Sequence, residues 1–294
     1  MDGVLNVYKE KGYTSHDVVA KLRGILKQKK IGHTGTLDPD AVGVLPVCLG
    51  KATKLCDLLT DKDKTYRTTL LFGQTTDTQD ASGKVLSSAL FEELQSLKEE
   101  QVVEVIKGFV GTYEQIPPMY SALKVNGKKL YELARAGIEI ERKARTVTIN
   151  SIEIHKVDLP RVEMEVTCSK GTYIRTLCHD IGEKLLVGGI MEELTRTRVD
   201  RFRIEDSFTL SQIEMLRDKE QLVEHILPLD QMFQHYPAYY ADEKLDKALN
   251  NGNLFHDRML DHESGIYRIY DSKKRFIGLY EKTDVTYRPY KMFL

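Results

Sequence analysis

The chain has 294 residues, longer than one average domain, with 41% hydrophobic and 30% charged residues, which excludes disordered and collagen-like classes. The formal net charge of -1 gives no overall basic character of the kind that marks many nucleic-acid binders. The start, Met1 to Asn6, carries no basic segment leading into an apolar one, and no run long enough to span a bilayer follows, so a cytoplasmic protein without membrane contact is expected.

Taken in chain order, Ser15 reads as an N-cap, and Val18, Val19, Leu22, Ile25 and Leu26 recur at helical spacing up to about Gln28. Between Lys30 and Gly50 come Gly32, Gly35, Pro39, Gly43, Pro46 and Gly50, too many breakers for one regular element, with apolar residues between them; a loop packed onto the core is expected. Tyr66, Thr68, Leu70 and Phe72 alternate as in a strand, and Gly73 to Gly83 reads as a turn-rich connection. Helical spacing returns at Phe91 to Leu97 and at Val102 to Phe109, until Pro117-Pro118 forces extended chain. Val162, Met164, Val166 and Cys168 form a second alternating strand, Lys170-Gly171 turns it, and Ile174, Leu177, Ile181 and Leu185 mark a helix with Arg175 in its first turn. Beyond Pro228, the strand-like runs Ile266 to Tyr270 and Phe276 to Tyr280 predict a β-rich appendage.

Charge is unevenly spread. Between Tyr120 and Arg145, seven basic residues, among them Lys124, Lys128 and Lys129, face three glutamates, a local +4, whereas Glu205 to Asp261 is acidic. A phosphate-binding face is therefore compatible with a neutral total, although a solvated charged surface would look the same. Cys48, Cys56, Cys168 and Cys178 form no C-x-x-C pair and have no His at zinc-ligand spacing, so they read as reduced thiols with no metal site.

In Gly32-His33-Thr34-Gly35-Thr36-Leu37-Asp38-Pro39 the proline disfavours helix at Asp38 and presents its carboxylate from extended backbone, fit for a nucleophile or general base. An Asx-turn in which the carboxylate only bonds its own backbone is the competing reading. Arg175 could equally be a surface arginine near Asp180 or Glu183, Tyr66 a core-facing aromatic, and His33 a solvated loop histidine.

The segment Gly32 to Pro39 with Gly43-Val44-Leu45-Pro46 resembles the active-site motif of the bacterial tRNA pseudouridine-55 synthases, the TruB family. Four further blocks agree in order: Thr14-Ser15-His16-Asp17-Val18-Val19; Lys64-Thr65-Tyr66 with Phe72-Gly73 and Thr76 to Asp80; Pro117 to Lys124; and Cys168 to Arg175. The resemblance covers roughly the first 210 residues, and several collinear motifs are far more specific than one T-x-D-P. Departures stand at Glu10, where the family usually has Pro, at Val42, where Thr or Ser is usual, and at Asp200, where Gly is common.

The resemblance implies an α+β pseudouridine synthase fold with a mixed central sheet over residues 1–230, a basic RNA-gripping insertion at 119–146, and a small β-rich, PUA-like domain at 231–294. It implies cofactor-free isomerisation of a T-loop uridine in the tRNA T-arm by a monomeric enzyme. Asp38 would be the catalytic carboxylate, Arg175 its bidentate partner keeping it ionised, and Tyr66 the ring that stacks on uracil and accepts or relays the C5 proton. His33 would fill the stack vacated by an extruded base, Tyr173 would contact substrate, Leu194 would form an apolar wall, and Lys124, Lys128 and Lys129 would grip phosphates. A guide-RNA-dependent synthase of the archaeal and eukaryotic kind and an RNA-folding module with a disused site are the two rivals.

Overall fold

The computed structural model describes residues 1–125, 127–257 and 263–294; Asp261, the far end of the acidic stretch, lies outside them. A ten-stranded mixed sheet forms the main body, its path running 226–227, 3–9, 42–49, 189–199, 64–72, 161–168, 145–158, 111–115. Lys64–Phe72 lies in its middle, antiparallel to Arg161–Cys168 on one side and to Gly189–Val199 on the other. Tyr66, Thr68, Leu70 and Phe72 are buried, as their alternation predicts, while Arg67 is exposed.

The first helix spans Ser15–Leu26, but its cap is Thr14, not Ser15. Thr14 Oγ1 accepts from the Asp17 amide at 3.1 Å, and the Asp17 carboxylate accepts from the Thr14 amide at 2.8 Å, a reciprocal box that satisfies two end donors. Ser15 is thereby released for another bond, and Lys27 ends the helix in the left-handed region at φ 52°.

The expected packed loop at 30–50 is largely wrong. Val42–Leu49 is a strand, and all its residues after Val42 are buried. Its two breakers occupy positions that neighbours impose. Gly43 has φ 108° and pairs with Arg196 so closely that a Cβ would stand 2.3 Å from the Arg196 carbonyl oxygen. Pro46 presents its carbonyl to the Thr34 amide, and its missing N–H falls between the strand Ile31–His33, which pairs 47–49, and Gly189–Val199, which pairs 42–43. The 73–83 connection likewise holds a short strand, Gln74–Thr76, paired with Val85–Ser88.

The helix Ile174–Lys184 packs on the strand that follows it, where a Cβ on Gly182 would meet the Gly189 amide nitrogen at 2.2 Å. At its other end, the first turn of the helix brings Arg175 to Asp38. The basic segment forms a hairpin, Lys124–Val125 with Lys128–Lys129, then the helix Leu130–Arg135. The C-terminal residues build a separate five-stranded sheet in the order 238–240, 265–270, 276–283, 286–292, 255–256. It is cemented to the main body by a shared core in which Phe233, Leu279 and Phe293 pack with Val4, Val44, Cys48 and Phe202.

Candidate active site

The loop from Thr34 to Ala41 is fixed almost wholly through its own main-chain groups. Thr34 donates from both its amide and its hydroxyl to the Pro46 carbonyl at 3.2 Å, and the buried Ser15 hydroxyl accepts from the Leu37 amide at 3.0 Å. The Asp38 carbonyl accepts from Ala41, and the Pro39 carbonyl accepts from Gly12 at 2.9 Å and from Lys9 Nζ at 3.0 Å. The turn at Asp38 is thus closed by its carbonyl. An Asx-turn is not formed, and the carboxylate is left for another partner.

That partner is Arg175, whose Nε lies 3.1 Å from Asp38 Oδ2. Its Nη1 donates to the Thr78 carbonyl at 3.0 Å and lies 3.4 Å from Asp80 Oδ2, and its Nη2 donates to the Tyr120 carbonyl at 2.9 Å. At 5% exposure it is no surface arginine, and neither Asp180 nor Glu183 pairs with it. The expected bidentate clasp is replaced by a single-pronged contact, because the rest of the guanidinium fork is committed to two other segments.

Arg175 acts on the Asp38 carboxyl in the expected direction, but burial outweighs it. Burial pushes the Asp38 carboxyl above its ordinary range; Arg175 pulls it down without compensating, and Asp80 adds to the rise. The carboxyl is crowded by protein groups, yet 41% of its side-chain surface is open to solvent. A carboxylate that holds its proton more tightly is a better base and nucleophile once ionised.

Tyr66 is buried and is the register partner of Arg196 across the strand pair. Burial raises its pKa, so the hydroxyl keeps its proton at neutral pH. Tyr173 directly precedes the Arg175 helix; its amide and carbonyl are both held by the Gln115 side chain, at 2.8 and 3.0 Å, and its half-buried ring lies near Arg175 and Asp38. Leu194 packs half-buried on the core that holds Tyr66, Leu37 and Ala41.

His33 sits at the start of the loop, edge-on to His16 at 5.3 Å, its Nδ1 accepting from the Gly35 amide at 3.3 Å. Burial, with His16 and Arg196 nearby, lowers its pKa and keeps the ring neutral, so it is not simply a solvated histidine. Lys124, Lys128 and Lys129 do not join this cluster. They stand on the hairpin, Lys129 over the Tyr131 ring at 5.3 Å, and the insertion reaches the cluster through the Tyr120 carbonyl.

Four residues of the site had no part in it assigned from the sequence: Lys9, Ser15 (read there only as a helix cap), Asp80 and Arg196. Lys9 is fully buried, and burial drives its pKa down to about 8 despite Asp38 and Asp40 nearby. Asp200 has φ 52°, which explains why glycine suits that position better.

Residues 23–174 match the family described as TruB family pseudouridylate synthase (N terminal domain), and residues 175–234 match the tRNA pseudouridylate synthase B C-terminal domain. The tRNA pseudouridine synthase B of Lachnoclostridium phytofermentans is 52% identical over 311 aligned positions, and that of Clostridium kluyveri 45% over 297, each alignment covering 100% of both chains. Among solved structures, a chain of an H/ACA RNP bound to a substrate RNA containing 2'-deoxyuridine superposes with TM-score 0.71 at 26% identity, covering 99% of this chain and 85% of that one. A chain of a Cbf5-Nop10-Gar1 complex gives TM-score 0.71 at 28% identity with the same coverage.

Proposed function

Since this chain belongs to the TruB family and is a tRNA pseudouridine synthase, an isomerase, we propose that it acts on the T-loop uridine at position 55 of tRNA, with Asp38 as its catalytic carboxylate. The reading is carried by one observation: a carboxylate on a loop pinned by its own main chain, 3.1 Å from a buried arginine and close to a buried tyrosine.

The reaction breaks N1–C1′ of the uridine, turns the base, and joins C5 to C1′; N1 gains a proton and C5 loses one, so no atom enters or leaves. Asp38 initiates it, as a nucleophile toward ribose or base or as the base that takes a sugar proton. Arg175 fixes the angle of that carboxylate. Tyr66 stacks on uracil, and its protonated hydroxyl relays the C5 proton rather than taking it directly. A base inside a folded loop must be extruded to reach Asp38, and the neutral His33 at the loop entrance fills the gap it leaves. Tyr173 and Leu194 border the uracil, and Lys124, Lys128 and Lys129 hold phosphates without reading sequence. Residues 1–230 then form the catalytic domain and 231–294 an appendage that touches RNA outside the T-loop. One monomer carries the whole site.

The likeness to chains of H/ACA particles raises a guide-dependent alternative; the 52% identity to a bacterial synthase B against 26% to the particle chain weighs for a stand-alone enzyme. Incubating the protein with unmodified tRNA transcript alone, and mapping pseudouridine at single-nucleotide resolution, tests both. Product at the T-loop uridine with wild type and none with Asp38→Asn is the expected result. Tight binding of transcript without product from either protein would reject this reading in favour of a guide-dependent enzyme or an RNA-folding module.

A further inference from the structure

The chemistry above uses one of the two arginines that are buried among the described residues. The other, Arg196, lies in the Gly189–Val199 strand at 1% exposure, and no carboxylate of the described residues forms an ion pair with it. A guanidinium withdrawn from water without a carboxylate is costly, and packed hydrocarbon would serve the fold better. Its cost calls for a task.

Its bonds define one. Nε donates to the Val44 carbonyl at 2.7 Å, and Nη2 and Nη1 reach the Gly35 and Thr36 carbonyls at 3.4 and 3.5 Å. Gly35 and Thr36 lead into Asp38, and Val44 lies in the strand that leads away from it, so both limbs of the catalytic loop end on one planar ion. The Arg196 backbone is pressed against Gly43, with no room for a Cβ between them, which sets where the side chain starts. Across the sheet, Arg196 and Tyr66 are register partners, both buried, and Arg196 draws the phenol's pKa down against the larger effect of burial. Because carbonyls are neutral, they hold the ion without cancelling its charge; its field contributes to the lowered pKa values of His33, Lys9 and Lys64.

We propose that Arg196 is a positioning residue that locks the Asp38 loop and the Tyr66 phenol into one register, so that carboxylate and ring meet the same extruded uridine. This rests on the functional reading above. The guanidinium touches no reacting atom; it acts through its two clients.

The test compares wild type, Asp38→Asn, Arg196→Lys and Arg196→Met as full-length chains on a T-arm stem-loop transcript. Lysine keeps the charge but cannot span three carbonyls; methionine keeps the buried stem. The expected result is a KM within about threefold of wild type with kcat lowered about thirtyfold or more in both variants, at unchanged circular dichroism. Adding Tyr66→Phe to Arg196→Lys should then cost less than the product of the separate losses, the mark of residues acting as a unit. A kcat per folded molecule within about threefold of wild type, with only the melting temperature lowered, overturns the proposal, as does strictly multiplicative behaviour with Tyr66→Phe. Should Arg196→Met not fold, Arg196→Lys carries both readouts. Wild-type protein that is as inactive as Asp38→Asn would instead refute the functional reading, which keeps the two failures apart.

Discussion

Asp38 and Arg175 were legible as a pair because both sit inside multi-residue motifs, yet the way they meet was not. The fork of Arg175 is divided among Asp38, Asp80 and the carbonyls of Thr78 and Tyr120, three stretches of chain that no local pattern connects. Lys9, Ser15 and Arg196 escaped assignment for a related reason: their partners are main-chain groups, and a backbone carbonyl leaves no letter in a sequence. The displaced pKa of Asp38 has a kinetic consequence. The acid limb of kcat/KM should fall above pH 3.8, the ordinary carboxylate value, and Asp80→Asn should move it to lower pH, since the Asp80 charge is one cause of the rise. A pH–rate profile of both proteins checks this; a limb unmoved by the substitution would contradict it.

Asp180 offers a stability counterpart away from the chemistry. Burial, helped by Glu183, raises its carboxyl to about 6, and it makes no described hydrogen bond. Between the ordinary value and about 6 the folded chain binds the proton that the unfolded chain has released, so stability falls as pH rises through that window. Asp180→Asn should therefore stabilise by about 1–2 kcal/mol at pH 7.5, about 3 °C in Tm, and by almost nothing at pH 4. Equal shifts at both pH values would show that charge burial is not the cause.

Among the elements, regularity decided legibility. Lys64–Phe72 and Arg161–Cys168 alternate cleanly and were read from sequence, as was Ile174–Lys184. Arg145–Asp158, at 14 residues, went unread because register shifts after Ile149 and Ile154 break its period of two, and Gly189–Val199 is broken after Met191 and Arg196 in the same way. Val42–Leu49 was misread since Gly43 and Pro46 look like loop residues until the neighbouring strands are known. The insertion was legible as charge alone. Its hairpin gives a prediction at this scale: Lys124→Gln with Lys128→Gln should weaken T-arm binding and flatten its log–log salt dependence by about two, with Tm unchanged. Filter binding from low to high salt measures it; an unchanged slope would remove these lysines from the RNA contact.

For the whole molecule, composition misled and pattern informed. A net charge of -1 conceals a basic insertion near the site and an acidic C-terminal half. The β-rich tail was expected from strand-like runs, but nothing in those runs announced that its core is continuous with that of the main sheet. Phe293, 1% exposed, packs against Phe233 and Phe276 at ring-centre distances of 5.7 and 5.6 Å in the cluster that also holds Val4 and Val44. Phe293→Ala should cost about 3–4 kcal/mol and lower a single cooperative unfolding transition. Calorimetry that resolved an unshifted main transition and a separate, weakened minor one would contradict a shared core.

The bond from Arg175 to the Tyr120 carbonyl reads chain position and not residue type. Substitutions at 120 pass beneath its notice, whereas one residue added or removed between Pro118 and Tyr120 would hand the guanidinium a different carbonyl and unseat its grip on Asp38. A change of length at the root of the insertion should therefore surface as slow chemistry, not as loose binding.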